Sequence, residues 1–127
     1  DFIVYSAQGS NLLVDVKGRR FPSGGSGNSH KWENWATQDD LSSLLEWEQV
    51  FGGDFRPMLV FAYEVVERRF FDEFESLFHC RDRTYAFYGV WADEYREEMR
   101  TRSPSWETVS VTSGEFRRLR MPVRHFL

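Results

Sequence analysis

Asp1-Phe2-Ile3-Val4-Tyr5 and Leu12-Leu13-Val14-Asp15-Val16-Lys17 decide how this chain is read. Each stretch is a β-strand by composition, and each sets a carboxylate in an apolar run, the second with a lysine two residues on. A buried carboxylate is costly unless it is paired or binds a metal. The three residues between the strands, Ala7-Gln8-Gly9, fit a hairpin loop built from a type I turn followed by a left-handed glycine. That loop sets the register: Tyr5 opposite Asn11, Ile3 opposite Leu13, Asp1 opposite Asp15. Directly opposed residues share a face, with Cβ atoms about 4.5–5.5 Å apart. A two-residue turn would shift the register by one and separate the two carboxylates. Alternation along the second strand puts Leu13, Asp15 and Lys17 on one face and Leu12, Val14 and Val16 on the other.

Outward from the hairpin, Gly18 to Ala36 is polar and glycine-rich and reads as a mobile loop. It lacks the Gly-Lys-Ser/Thr ending of a phosphate-binding loop, which excludes that mode of nucleotide binding. Thr37 is placed to cap a helix, with Asp40 three residues on as a weak capping box. Leu41, Leu44, Leu45 and Phe51 give this helix an apolar stripe, and Gly52-Gly53 ends it. Met58-Leu59-Val60-Phe61-Ala62-Tyr63 then reads as a strand buried in a sheet centre. Strand, crossover helix and strand make a βαβ unit. Further on, 77–80 and 84–90 fit a hairpin across Arg81-Asp82-Arg83. Asp93 is expected to cap a helix through about Arg100. Trp106 to Val111 is a strand candidate and Ser113 to Leu119 a short helix. The class is α/β with a mixed sheet.

The 127 residues suffice for one domain with its own core. With 17% aromatic residues, including five Trp and 12 Phe, disorder is excluded. A single cysteine, Cys80, excludes a disulfide framework and a cysteine-rich zinc site, so a cytoplasmic location is expected. No apolar run reaches membrane-spanning length. The net charge of −4 hides an asymmetry: residues 100–127 carry six arginines against Glu107 and Glu115. Such polarity allows a local phosphate-binding face on an acidic protein, though on charge alone a solvated surface is the better reading.

On this pattern Asp1, Asp15 and the carbonyl of Val16 are the candidate ligands of Mg²⁺ or Mn²⁺, since magnesium takes oxygen donors. Lys17 would orient or deprotonate the attacking water, or neutralise developing charge. Arg19 and Arg20, just beyond, are the candidate phosphate contacts. The constellation resembles the PD-(D/E)xK nuclease superfamily. Asp1 stands where that family has its first acid, and Asp15-Val16-Lys17 matches its Asp/Glu-x-Lys motif. The resemblance implies a restriction-endonuclease-like fold, a mixed β-sheet flanked by helices, and a magnesium-dependent endonuclease acting on DNA or structured nucleic acid. It also implies an upstream helix, apparently missing here, whose glutamate would complete the site, and a dimer where both strands are cut. The later segment Ser103-Pro104-Ser105-Trp106-Glu107-Thr108-Val109 is similar to a bacterial group called HYExAFE, whose defining motif is absent from this chain.

Two rival readings stay open: a nuclease-like fold that binds nucleic acid without cutting, and a protein-interaction domain. The remaining candidates have simpler roles. His30, Trp32 and Trp35 flank the loop and are expected to anchor it, although aromatics beside basic residues can also stack on bases. Phe70, Phe71, Phe74 and Phe78 read as core. His79 and Cys80, being adjacent on a strand, point apart and read as packing. Glu94, Glu97 and Glu98 form a solvated helix face.

Overall fold

The computed structural model describes residues 2–7, 9–23 and 31–126. Its spine is a mixed sheet. The hairpin is formed by β1 (Phe2–Val4) and β2 (Asn11–Phe21), with Ile3 opposite Leu13 as the three-residue loop requires. Gly9 takes φ +83°, the left-handed conformation that closes such a loop. The Asn11 side chain accepts a hydrogen bond from the Ser6 amide at 3.0 Å and ties the hairpin's end. Asp1 lies outside the described residues, so the Asp1–Asp15 pairing is not described.

The strand β2 runs four residues beyond Lys17. All eleven of its residues pair in parallel with β4 (Phe55–Val65), so Gly18 to Phe21 belong to the sheet and not to a loop. The polar composition of Gly18-Arg19-Arg20 hid this extension. Parallel pairing along the whole length of β4 holds it in place, and Phe21 at its end is fully buried.

Between the two strands lie β3 (Ala36–Thr37) and the crossover helix α1 (Gln38–Phe51). Thr37 caps the helix, its hydroxyl accepting from the Asp40 amide at 3.1 Å, and Gly52 ends it at φ +91°. The other side of β4 pairs antiparallel with β6 (Arg83–Trp91), which forms a hairpin with β5 (Phe78–Cys80). The remaining elements are α2 (Ala92–Glu98), β7 (Arg100–Ser103), β8 (Thr108–Ser110), α3 (Ser113–Leu119) and β9 (Met121–Pro122). The short strands β3, β8 and β7 form a second antiparallel sheet.

The main sheet separates two apolar clusters. The larger one holds Leu13, Phe21, Phe61, Tyr63, Leu41, Leu44, Tyr95 and Phe116. The smaller one, on the opposite face, holds Leu12, Val14, Met58 and Val60, with Val123 and Phe126 of the closing 3₁₀ turn packed against it. Gly89 belongs to this second face. A methyl group there would meet Met58 Sδ at 2.6 Å and Phe126 Cε2 at 3.1 Å.

Three expectations are corrected. His79 and Cys80, read as packing residues, are both exposed on β5. Asp93 sits inside the first turn of α2, whose cap is Trp91, and its carboxylate accepts from the Glu94 amide at 2.9 Å. Phe70 and Phe74 are buried, but Phe78 is half exposed on the short edge strand β5. His30 lies outside the described residues.

Residues 32–35 are strapped to the core by named bonds. Tyr63 Oη donates to the Glu33 carbonyl at 2.6 Å, and Tyr95 Oη donates to the Asn34 carbonyl at 2.7 Å. The buried Asn34 side chain accepts from the Val111 amide at 2.9 Å, joining this strap to the segment that leads into α3. Burial raises both tyrosine hydroxyls above their ordinary pKa, so they stay protonated donors. Asn34→Ala leaves the Val111 amide buried without an acceptor. The expected cost is about 2 kcal/mol, read as a fall of roughly 8 °C in a thermal melt. A fall of less than about 2 °C would show the bond contributes little.

Candidate functional site

Asp15 and Lys17 sit side by side on the α1 face of β2, as alternation requires. Asp15 is only 9% exposed. Lys17 Nζ lies 3.2 Å from Asp15 Oδ2, and the same ammonium donates to Asp40 Oδ2 on α1. One cation therefore joins two carboxylates from two different elements. Asp40 comes into reach because it occupies the first turn of α1, held there by Thr37. That hydrogen bond from Lys17 holds the Asp40 carboxyl below the usual carboxylate range, against a smaller opposing effect of burial.

Asp15, Asp40, Ser43, Leu44 and Trp47 line a cavity of about 40 Å³ between β2 and α1. The four helix residues follow the i, i+3, i+4, i+7 spacing of one helical face. A volume of that order holds a water or a single cation and not a nucleotide. A wider depression of about 590 Å³ beside α1 and α2 contains neither Asp15 nor Lys17. The buried charge and this wider concavity are thus in different places.

Lys17 brings the carboxylate oxygens of Asp15 and Asp40 together, and oxygen is the donor type that magnesium and manganese prefer. With Lys17 counted, the cluster carries a net charge of −1, so an additional cation is electrostatically favoured. Among the described residues no three His, Cys, Asp or Glu side chains come together as a ready-made metal cage. Asp1, expected as a further ligand, is outside them.

The two arginines have different surroundings. Arg19 shares the face of Asp15 and Lys17. Its guanidinium lies 3.8 Å from the Trp35 ring centroid and donates to the carbonyls of Gly18, at 2.7 Å, and Trp35. Burial lowers its pKa, and among the described residues its Nε has no partner. Arg20 is exposed on the opposite face of β2. The loop tryptophans act as anchors: Trp35 beneath Arg19, and Trp32 stacked on Phe74 at 4.7 Å with 24° between the rings.

Sequence reasoning placed Asp15 and Lys17 together but assigned Asp40 only to helix capping. The missed signal was position: the first turn of a crossover helix passes over the parallel strand it connects. Comparison with family models, curated proteins and solved structures finds no match to this chain.

Proposed function

We propose that the protein is a metal-dependent phosphodiesterase acting on DNA or structured nucleic acid. The observation that carries this reading is the shared ion cluster: a buried carboxylate and a lysine two residues apart on one strand face, closed by a second carboxylate from the helix above. A structural ion pair alone would need one acid for one base. Here a second acid leaves surplus negative charge beside a cavity of ionic size, and that supports a cation site.

In this reading Asp15 and Asp40 hold Mg²⁺ or Mn²⁺ together with the Val16 carbonyl, and Asp1 is proposed as a further ligand. The cation, when bound, supplies Lewis acidity toward water and a phosphoryl oxygen. Lys17 supplies hydrogen-bond donors that orient water or offset charge at the phosphoryl group. Asp40 keeps the lysine aimed at Asp15. Arg19 adds positive charge two residues beyond Lys17, and Arg20 adds an exposed phosphate contact at the sheet's other face. Among the described residues the cavity at the cluster, about 40 Å³, is too small for a base, which favours recognition of the phosphate backbone over a free nucleotide.

The test is nicking of supercoiled plasmid with Mg²⁺, Mn²⁺ or chelator, beside the double variant Asp15→Ala/Lys17→Ala. The expected result is metal-dependent nicking by the native protein and none by the variant. Equal nicking by both would assign the activity to a contaminant and overturn the proposal.

A further inference from the structure

The six arginines of residues 100–127 divide into distinct groups. Arg100 pairs with Glu115 at 3.5 Å, Arg118 with Glu98 at 3.4 Å, and Arg124 with Glu75 at 2.7 Å. Arg102 lies over the Trp35 ring at 5.0 Å. Arg117 and Arg120 have no carboxylate partner among the described residues. Both line an open pocket of about 420 Å³ together with Lys31, Trp32, Phe116 and Glu73. Three cations against one carboxylate leave this pocket strongly positive in an acidic protein.

Arg120 is the informative member. It is half-buried, and its guanidinium sits 3.6 Å from the Trp32 ring centroid. Burial lowers its pKa, as expected for a charge partly removed from water without a neutralising acid. Arg19 directs two donors to carbonyls, whereas the Arg120 guanidinium has no hydrogen bond among the described residues. A guanidinium offers five N–H donors in a planar fork suited to phosphate. Contact with the Trp32 ring holds the guanidinium at the pocket. Trp32 carries Phe74 and Arg120 against its ring, so it is not open for a nucleobase. The pocket is built to receive an anion and not to read a base.

We infer that Lys31, Arg117 and Arg120 form a second site, which takes a backbone phosphate of duplex DNA. The choice of ligand rests on the phosphodiesterase reading. Position on the sheet supports it. Phe21, whose ring meets Trp32 edge-on at 6.1 Å, lies on the same strand face as Asp15 and six residues further along β2. The second site therefore stands apart from the Asp15–Lys17 cluster and would hold the duplex away from the reacting bond, the ordinary role of phosphate contacts.

The experiment is binding of a fluorescent duplex in chelator, across a series of salt concentrations, so that no cleavage intervenes. The native protein is compared with Lys31→Ala/Arg117→Ala, whose side chains are exposed, and with Arg120→Lys, which keeps the charge and loses the fork. The double variant should bind roughly tenfold more weakly, and its plot of log affinity against log salt should flatten by about 1, the change expected for one lost phosphate contact. Arg120→Lys should weaken binding with little change in slope. Thermal melts establish that each variant is folded. If the native protein binds and the double variant matches it in affinity and slope, the second site is wrong while the phosphodiesterase reading stands. If inorganic phosphate stabilises the native protein but not the double variant, and duplex binding is the same in both, the pocket serves a small anion and the inference fails. Absence of both binding and nicking by the native protein would overturn the two proposals together.

Discussion

Asp15→Asn is expected to lower metal-dependent plasmid nicking roughly 10³-fold while leaving the protein folded. The substitution preserves size and keeps an oxygen near Lys17, so the packing around this 9% exposed position is retained. What changes is charge. The cluster goes from a net −1 to neutral, and a divalent cation loses the buried member of its donor set. Transition-state stabilisation by a bound metal is worth several kcal/mol, and about 4 kcal/mol corresponds to the stated loss in rate. Nicking time courses at saturating Mg²⁺ measure it. The melting temperature should stay within a few degrees of the native value, and duplex binding in chelator should be unchanged. Nicking within tenfold of the native protein would remove Asp15 from the reaction.

Part of this site was legible in the chain itself, and the reason is local. The loop Ala7-Gln8-Gly9 has a length and a final glycine that fit a three-residue turn, and the pairing of Ile3 with Leu13 is the register that turn sets. Strand periodicity then puts Asp15 beside Lys17 without tertiary information. Thr37 and Gly52 likewise mark both ends of α1 by their own backbone chemistry. Asp40 was not legible as a site residue, because the angle at which a crossover helix lies on its sheet is set by packing and not by any nearby residue. Of the second small sheet only β8 was legible, inside the stretch Trp106 to Val111. Its partners β3 and β7 are two and four residues long, and Arg100–Ser103 has none of the apolar alternation that marks a strand. Arg120 reads from sequence as one more basic residue in a basic tail. Only the fold brings Trp32 beneath it.

Lys17→Met should have the largest effect on stability, and the effect should depend on the solution. Removing the ammonium leaves Asp15 and Asp40 facing each other without a counter-ion. Breaking a fully buried pair costs about 3–5 kcal/mol. The Asp40 side chain is 44% exposed, so water relieves part of this, and about 2 kcal/mol is the expected loss in chelator. Millimolar Mg²⁺ should restore much of it. A ligand at about 100 times its dissociation constant stabilises the folded state by about 2.7 kcal/mol. The native protein should gain less from Mg²⁺, because its own lysine competes for the same oxygens. Denaturant titrations with and without Mg²⁺ test this. An equal metal response in the two proteins would show that the cation does not share the lysine's oxygens.

The sign of the pH dependence follows from Asp40. Its carboxyl is held below the ordinary range by Lys17, so the folded state binds that proton less readily than the unfolded chain does. The stabilisation is fully present above the unfolded value, near pH 4, and is lost as pH falls through the lower folded value. Lys17→Met should lack this part of the acid decline.

The eleven-residue parallel pairing of β2 with β4 has a consequence for how damage would show itself. Side chains alternate, so a slip of one residue would carry Asp15, Lys17 and Arg19 to the side of Val123 and Phe126 and turn Leu12 and Val14 toward α1. No halfway alignment exists in which the acid and the lysine are slightly misplaced. The site is therefore digital: a given molecule has it whole or lacks it. A substitution that let β2 slip would thus remove the Asp15–Lys17 cluster outright from the molecules that slipped.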